Sequence, residues 1–350
     1  MTLPMIDLRS DILSQPTEEM IQAMNEAARS PAGFGLREDA FVQRLESAAA
    51  AMLGKEDALF CPTCTQANQI AINVHCSPGQ QVAGHPSSHI FTSEAGACAA
   101  LSGVSPLAIK GDAAHRGGEM SLADLEASLQ VGDALRSTVG LVWLENTHVR
   151  SGGRVLTLDY IAAVSQLSAR ASTPFHIDGA RLPNAALALN TSLDVCARGA
   201  DTVSLSLNKG LGAPLGAVLA GSSGFIAQAE VVRQRFGGGW RPAGIPAAAA
   251  LVALDGWEAR LGEDHRRASW LAQALSAVPG IELDPLAVES NLLLISMQEF
   301  DARALANALK RENVLVLPYS QTEVRLALYH GIDDAAVQRV AQVLIRLIGG

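Results

Sequence analysis

The chain has 350 residues, 49% of them hydrophobic and 17% charged, and its 26 basic against 35 acidic residues leave a net charge of −9. High apolar content with few charges excludes a disordered chain. An acidic balance without basic runs excludes an electrostatic footprint for nucleic acid, and no run of about 20 apolar residues is present to span a membrane.

Met1-Thr-Leu-Pro4 has neither the basic nor the apolar segment of a secretory signal, so a cytoplasmic location is expected. Ser14-Gln-Pro16-Thr-Glu-Glu opens a helix, with proline and acids in its first turn and Met20, Ile21 and Met24 on one face. A glycine-bearing loop follows, then a helix over 42–53 ended by Gly54. A strand at 58–60 leads through Pro62-Thr-Cys-Thr65 into a helix reaching Ala71. Further strands are expected at 81–83, 105–109, 139–144, 174–177, 202–207 and 216–220. Ser121-Leu-Ala-Asp124 is a capping box, and 158–171 is a crossover helix. A long helical run from Ala247 through Trp257 and Leu271 links to strands at 291–297, 314–317 and 323–327 and helices at 302–311 and 333–348.

Short apolar strands alternating with longer helices predict an α/β protein with a mostly parallel sheet. The expected division is an N-terminal segment over 1–14, a large domain over 15–250 and a small domain over 251–350. Five scattered cysteines are no disulfide framework. Cys61-Pro-Thr-Cys64 has redox spacing, but without a second pair or matching histidines it reads as two small residues in a loop, and no metal site is expected.

Two segments carry chemistry. Phe175-His-Ile-Asp178 puts an acid at the carboxyl end of a strand, where open α/β sheets bind ligands. Ser204-Leu-Ser-Leu-Asn-Lys209-Gly-Leu-Gly212 is a strand, a lysine and a glycine-rich turn. A lysine and a carboxylate at neighbouring strand ends suit pyridoxal phosphate, which needs an amine for its Schiff base and an acid to keep its pyridine nitrogen protonated. Of only four lysines, Lys55, Lys110 and Lys310 read as surface charges.

With these segments in order, the chain resembles the L-threonine aldolases, in the β-eliminating lyase group of fold-type I, aspartate-aminotransferase-like enzymes. The likeness runs nearly end to end. It rests on Ile6-Asp-Leu-Arg-Ser-Asp11, Pro62-Thr-Cys-Thr-Gln-Ala-Asn68, His89 with Glu94-Ala-Gly96, Leu144-Glu-Asn-Thr-His148, His176-Ile-Asp-Gly-Ala-Arg181, Lys209-Gly-Leu-Gly-Ala-Pro214, Gly237-Gly-Gly-Trp-Arg241, Arg260-Leu-Gly-Glu-Asp-His265 and Val324-Arg325. The resemblance implies a seven-stranded large-domain sheet with a small α+β domain, and a carbon–carbon lyase releasing glycine and an aldehyde from a β-hydroxy amino acid. It implies that Lys209 anchors pyridoxal 5'-phosphate, Asp178 pairs with its ring nitrogen, and His89 stacks on the ring and handles the β-hydroxyl proton. Cys64 and Thr65 cradle the phosphate, with Arg241 reaching a phosphate across a subunit boundary of a homotetramer built from dimers. Arg181 lies near the cofactor phenolate and the substrate carboxylate, which Ser10 and Arg325 hold. Arg9 and Asp11 are expected to pair with each other, His148 and His176 to orient the local backbone, and His85 to be incidental.

Four positions depart from the family pattern. Cys64 replaces a glycine, Asn208 a serine and Leu36 a tyrosine, and Leu135 falls where a second histidine is expected. The last two point to a bulkier or more apolar β-substituent, or to slower chemistry. Two other readings stay open: a related elimination, decarboxylation or racemisation, and a cofactor-binding homologue with little turnover.

Overall fold

The computed structural model describes residues 4–111, 115, 117–130, 134–297 and 301–349. Its first element is a strand that the sequence did not announce, β1 (Ile6–Asp7). Seven strands then form the central sheet: β2 (Asp57–Cys61), β3 (Gln81–Gly84), β4 (Ser105–Ala108), β5 (Val139–Glu145), β6 (Phe175–Asp178), β7 (Thr202–Ser206) and β8 (Ala217–Gly221). Their spatial order is β2-β8-β7-β6-β5-β3-β4, and β8 alone runs antiparallel to its neighbours. Every residue of β6, β7 and β8 is buried, as expected for strands covered on both faces. All seven expected positions are occupied, with bounds moved by a residue or so.

The C-terminal strands are β9 (Leu292–Ser296), β10 (Val314–Leu315), β11 (Leu317–Pro318) and β12 (Glu323–Ala327). The single strand expected over 314–317 is thus two. β10 pairs with β1, whereas β11 turns to pair with β12, which in turn pairs with β9. Ala327 N also donates to Leu8 O at 2.9 Å and the Tyr329 hydroxyl to Asp7 O at 2.8 Å, stitching the start of the chain to its end.

Two large apolar clusters result. One runs from Met20 to Leu261 around the central sheet; the other gathers Ile6 and Leu8 with residues from Ala268 to Ile348. The helix Trp257–Ser276 serves both, with Leu261 in the first and Leu271 and Leu275 in the second. The single helical run expected from 247 is two helices, Gly244–Ala253 and Trp257–Ser276, divided where Gly256 takes φ 58°.

Local chemistry explains other differences. The first helix is Glu18–Ala27, capped by Thr17; Met20 is fully buried while Ile21 is 40% exposed, so the two do not share the buried face. The helix Ser223–Arg235 escaped notice because its faces are scrambled: Val231 is exposed, and Arg233 is buried to reach Phe60 O at 2.6 Å. Lys55 is no free surface charge, since its ammonium bonds Ala197 O at 3.1 Å and Ala200 O at 2.6 Å. Cys61 ends β2 and Cys64 starts the next helix, so both flank the strand-to-helix junction rather than lying in a loop, and both are free thiols. In the capping box Ser121 Oγ accepts from Asp124 N at 3.2 Å, while Ser121 N goes to Lys110 O.

Several histidines are buried or half-buried and held neutral. His75 and His176 share the Thr202 hydroxyl at 3.0 and 2.8 Å, and His265 faces Asn184 Oδ1 at 2.9 Å. Burial pulls His75, His148 and His265 down to about 4. The unfolded chain therefore takes up more protons than the native state between pH 6.5 and 4, and stability falls as the pH drops through that window. Each such histidine adds a slope of up to about 1.4 kcal/mol per pH unit. Thermal unfolding followed by circular dichroism should show Tm falling from pH 6.5 downward; a flat Tm to pH 4 would contradict it.

Candidate active site

Parallel register sets three side chains abreast, from the last residues of β5 and β6 and the middle residue of β7. Glu145 pairs with Asp178 and Asp178 with Ser204. Asp178 is 2% exposed, and its carboxylate is fixed by Asn68 Nδ2 at 2.8 Å and Ala180 N at 3.0 Å. Asn68 lies on the helix Cys64–His75, accepts from Ser204 Oγ at 2.7 Å, and gives its other amide hydrogen to Glu94 at 3.0 Å. Gln69 Nε2 holds the second Glu94 oxygen at 2.7 Å.

Glu94 in turn holds His89, with Nδ1 to Oε1 at 2.8 Å. Burial works against a charged His89 ring, but the bond to Glu94 and the charges of Asp178, Glu94 and Glu145 outweigh it and raise its proton affinity. Glu145 takes His89 N at 2.6 Å and Val149 N at 2.9 Å, and burial beside Asp178 raises its own carboxyl. His89, Glu94 and Asp178 bring ligand atoms within 4.8 Å of one another, a negative pocket that suits a cation of either kind, a metal ion or a protonated ring nitrogen.

Lys209 follows β7 in a tight turn closed by Gly212 N to Lys209 O at 2.8 Å, with Gly212 at φ 81°. Its ammonium is near enough to pull down both the Asp11 carboxyl and the Cys64 thiol. Opposite stands the N-terminus of Cys64–His75. Thr63 Oγ1 caps Gln66 N at 3.1 Å, while the N–H groups of Cys64 and Thr65 bond to nothing among the described residues, which makes them a ready anion site. The Cys64 thiol faces the pocket, beside Asp178 and Ser204, and burial keeps it protonated. Asn208 takes Ser206 Oγ at 2.9 Å on its oxygen, leaving Nδ2 free to donate.

The substrate end differs from expectation in one pairing. Arg9 bonds Asp7, whereas Asp11 and Arg181 form a buried bidentate pair at 2.6 and 2.7 Å. Burial alone would raise Asp11, but Arg181 outweighs it and holds the carboxyl well below the usual range. Arg181 is left with one terminal nitrogen, Nη1, outside that pair. Ser10 caps the short turn Asp11–Leu13, accepting from Ile12 N at 3.4 Å. Arg325, on β12, is 6% exposed; it bonds the Tyr319 hydroxyl at 3.0 Å and Arg9 O at 2.7 Å, and its Nε has no partner. Both partners are neutral. A buried guanidinium without a carboxylate of its own calls for an anionic ligand.

Lys209, Asp178, His89, Cys64, Thr65, Arg181, Ser10 and Arg325 therefore share one crevice. Arg241 does not join them within this chain: it bonds Phe34 O at 2.6 Å in an exposed loop. Leu36 packs beside Gly239, and Leu135 is 92% exposed. Sequence reasoning assigned no role to Asn68, Glu94, Glu145 or Tyr319. The first three lay inside matched motifs as polar residues bound for burial, a usable signal.

Asp264, on the helix Trp257–Ser276, is 1% exposed with both oxygens unpartnered, and burial raises its carboxyl to about 7. A raised native value means stability is lost as pH climbs from 3.8 towards 7. Asp264→Asn keeps the shape and removes the buried charge, so it should raise Tm by several degrees at pH 8, by less at pH 5 and hardly at all below pH 4. A lower Tm at pH 8 would show the carboxylate to be satisfied.

The parts pyridoxal phosphate needs are present: free helix N–H groups for the phosphate, a fixed carboxylate for the ring nitrogen, an amine close enough to act on Cys64, and an anion-seeking guanidinium. Residues 7–298 match the family model described as beta-eliminating lyase. The chain is 37% identical to low-specificity L-threonine aldolase 1 of Arabidopsis thaliana, over 96% of this chain and 94% of that one. Among solved structures, a Leishmania major threonine aldolase superposes with a TM-score of 0.84 at 20% identity, covering 98% and 99% of the two chains. An aspartate aminotransferase from Rhodobacter sphaeroides does so with a TM-score of 0.76 at 17% identity, covering 99% and 92%. The fold is that of the fold-type I enzymes.

Proposed function

The chain belongs to the beta-eliminating lyase family and is a pyridoxal-phosphate-dependent lyase; from that premise we propose that it cleaves L-threonine, L-allo-threonine or a related β-hydroxy-α-amino acid to glycine and an aldehyde. One observation carries the reading: the carboxylate-free Arg325 guanidinium stands in the same crevice as Asp178 and Lys209, and cofactor binding alone gives it no task. The aldolase names of the relatives support it.

When bound, pyridoxal phosphate supplies a sink for the electron pair left on Cα. Lys209 would anchor it, Asp178 hold its ring nitrogen protonated, and the Cys64 and Thr65 N–H groups take the phosphate. Arg325, with Ser10 and the spare nitrogen of Arg181, would hold the substrate carboxylate, and that grip fixes which bond at Cα lies in the cleavable direction. With Nδ1–H given to Glu94, His89 keeps Nε2 as a base for the β-hydroxyl proton. Loss of that proton turns Cβ–O into the aldehyde carbonyl as Cα–Cβ breaks. A proton returned to Cα completes glycine.

We also place a large cofactor-binding domain over 15–250 and a small one over 251–350, supported by the two separate apolar cores. We infer a homotetramer in which Arg241 serves a neighbouring subunit's site, and a reducing cytoplasmic setting that suits five free cysteines. The structure has no helix long and apolar enough to cross a membrane among the described residues.

The deciding assay incubates the pyridoxal-phosphate-loaded protein with threonine, allo-threonine and phenylserine. Glycine and aldehyde in equal amounts are expected. Pyruvate with ammonia, or no product from any of them, would overturn the reading.

A further inference from the structure

Two guanidiniums converge on one aromatic ring beside the crevice. The Arg325 Cζ lies 5.0 Å from the Tyr319 ring centre, and the Arg150 Cζ lies 4.5 Å from it. Tyr319 also accepts from Arg325 Nη1 at 3.0 Å. Arg150 forms no hydrogen bond or ion pair among the described residues, so the ring is its one polar attachment.

Both flanks of this stack are built in. Tyr319 starts the turn between β11 and β12, where its N–H returns to Glu323 O at 2.8 Å, and Leu317 pairs with Arg325 across the two strands. Arg150 lies in the short turn Val149–Ser151, whose first N–H is held by Glu145, the carboxylate that also holds His89 N. Val149 in turn packs against Leu292 and Ala327 in a small buried cluster. The stack thus joins the loop after β5 to the strand that carries Arg325.

We propose that Tyr319, held by Arg150, is a positioning residue that sets the Arg325 guanidinium for the substrate carboxylate. Arg325 can turn its face or its edge to a ligand, and only the edge gives a two-point grip on a carboxylate. The phenol oxygen takes one hydrogen of Nη1 and Arg9 O one of Nη2, which leaves the Nε hydrogen and one on each terminal nitrogen to form an edge aligned by neutral groups. A carboxylate in the phenol's place would instead neutralise Arg325 and weaken its pull on the ligand. Arg150 adds a second cation to the ring, which holds the ring in place and makes its hydroxyl a poorer competitor for Arg325. The inference rests on the reading of Arg325 as the carboxylate clamp.

The test titrates glycine into the pyridoxal-phosphate-loaded protein and follows the visible absorbance, so it works whether or not any aldehyde is released. Methylamine, which has no carboxylate, is the parallel probe. Tyr319→Phe is expected to weaken glycine about 10-fold, the value of a hydrogen bond to a charged group, and to raise KM for threonine alike with kcat within about 2-fold. Arg150→Ala should weaken glycine about 3-fold and Arg150→Lys should restore most of that. Methylamine should bind all variants as it binds the parent. Unchanged glycine affinity in Tyr319→Phe, or an equal loss for methylamine, would overturn the proposal. A failure to release aldehyde from any β-hydroxy amino acid would overturn the aldolase reading instead, and leave the titration intact.

Discussion

Lys209→Ala will fold, bind pyridoxal phosphate only reversibly, show none of the visible absorbance of the covalently held cofactor, and lose at least about 10³-fold in activity. No other lysine can stand in. Lys55 is spent on Ala197 O and Ala200 O, and Lys110 and Lys310 are exposed to solvent. The remaining contacts explain why binding survives: Asp178 stays fixed by Asn68 and Ala180 N, and the helix N–H groups of Cys64 and Thr65 stay free. Gel filtration of the loaded variant should strip the cofactor, while the parent keeps it. An unchanged visible spectrum after filtration would show that the cofactor is anchored elsewhere.

The sequence announced these parts unevenly. Asp178 and Lys209 were legible because strand periodicity places them at strand ends, and the scarcity of lysine removes competitors. The seven strands of the sheet were legible for the same reason, being short apolar runs between turns. β1 was not, because two residues carry no period, and its partner lies at the far end of the chain. The long helical run broke at Gly256, which composition alone reads as a tolerated glycine. Arg9 and Asp11 looked like partners because they are close in sequence, yet Arg9 took Asp7 and left Asp11 for Arg181. Proximity along the chain favours contact only where nothing buried competes. A half-exposed Arg9 gains little from Asp11, whereas a buried Arg181 requires it. Asn68, Glu94 and Glu145 are legible only as motif letters until the fold brings a helix, a short turn and a strand together around His89.

The Asp11–Arg181 pair carries the second large effect. Both side chains are nearly sealed from water, at 0% and 6% exposure, so removing one strands the other as a buried charge. Asp11→Ala is expected to destabilise the fold by about 3–5 kcal/mol, because Arg181 would then sit uncompensated near Lys209 and Arg325. Arg181→Ala should destabilise less, since those same two cations would still attend Asp11. The Asp11→Ala/Arg181→Ala double variant should be more stable than the sum of the singles by about 1–3 kcal/mol. Asp11 has a depressed carboxyl, so its contribution is complete above its unfolded value of 3.8 and is lost only as pH falls below that through the native value. Between pH 5 and 8 the penalty of Asp11→Ala should therefore be constant, which separates it from the histidines, whose cost varies across pH 4 to 6.5. Denaturant unfolding at two pH values reads all of this. Single-variant losses that simply add would mean that the two charges are satisfied independently and that the bidentate pair is not what organises the carboxylate end of the site.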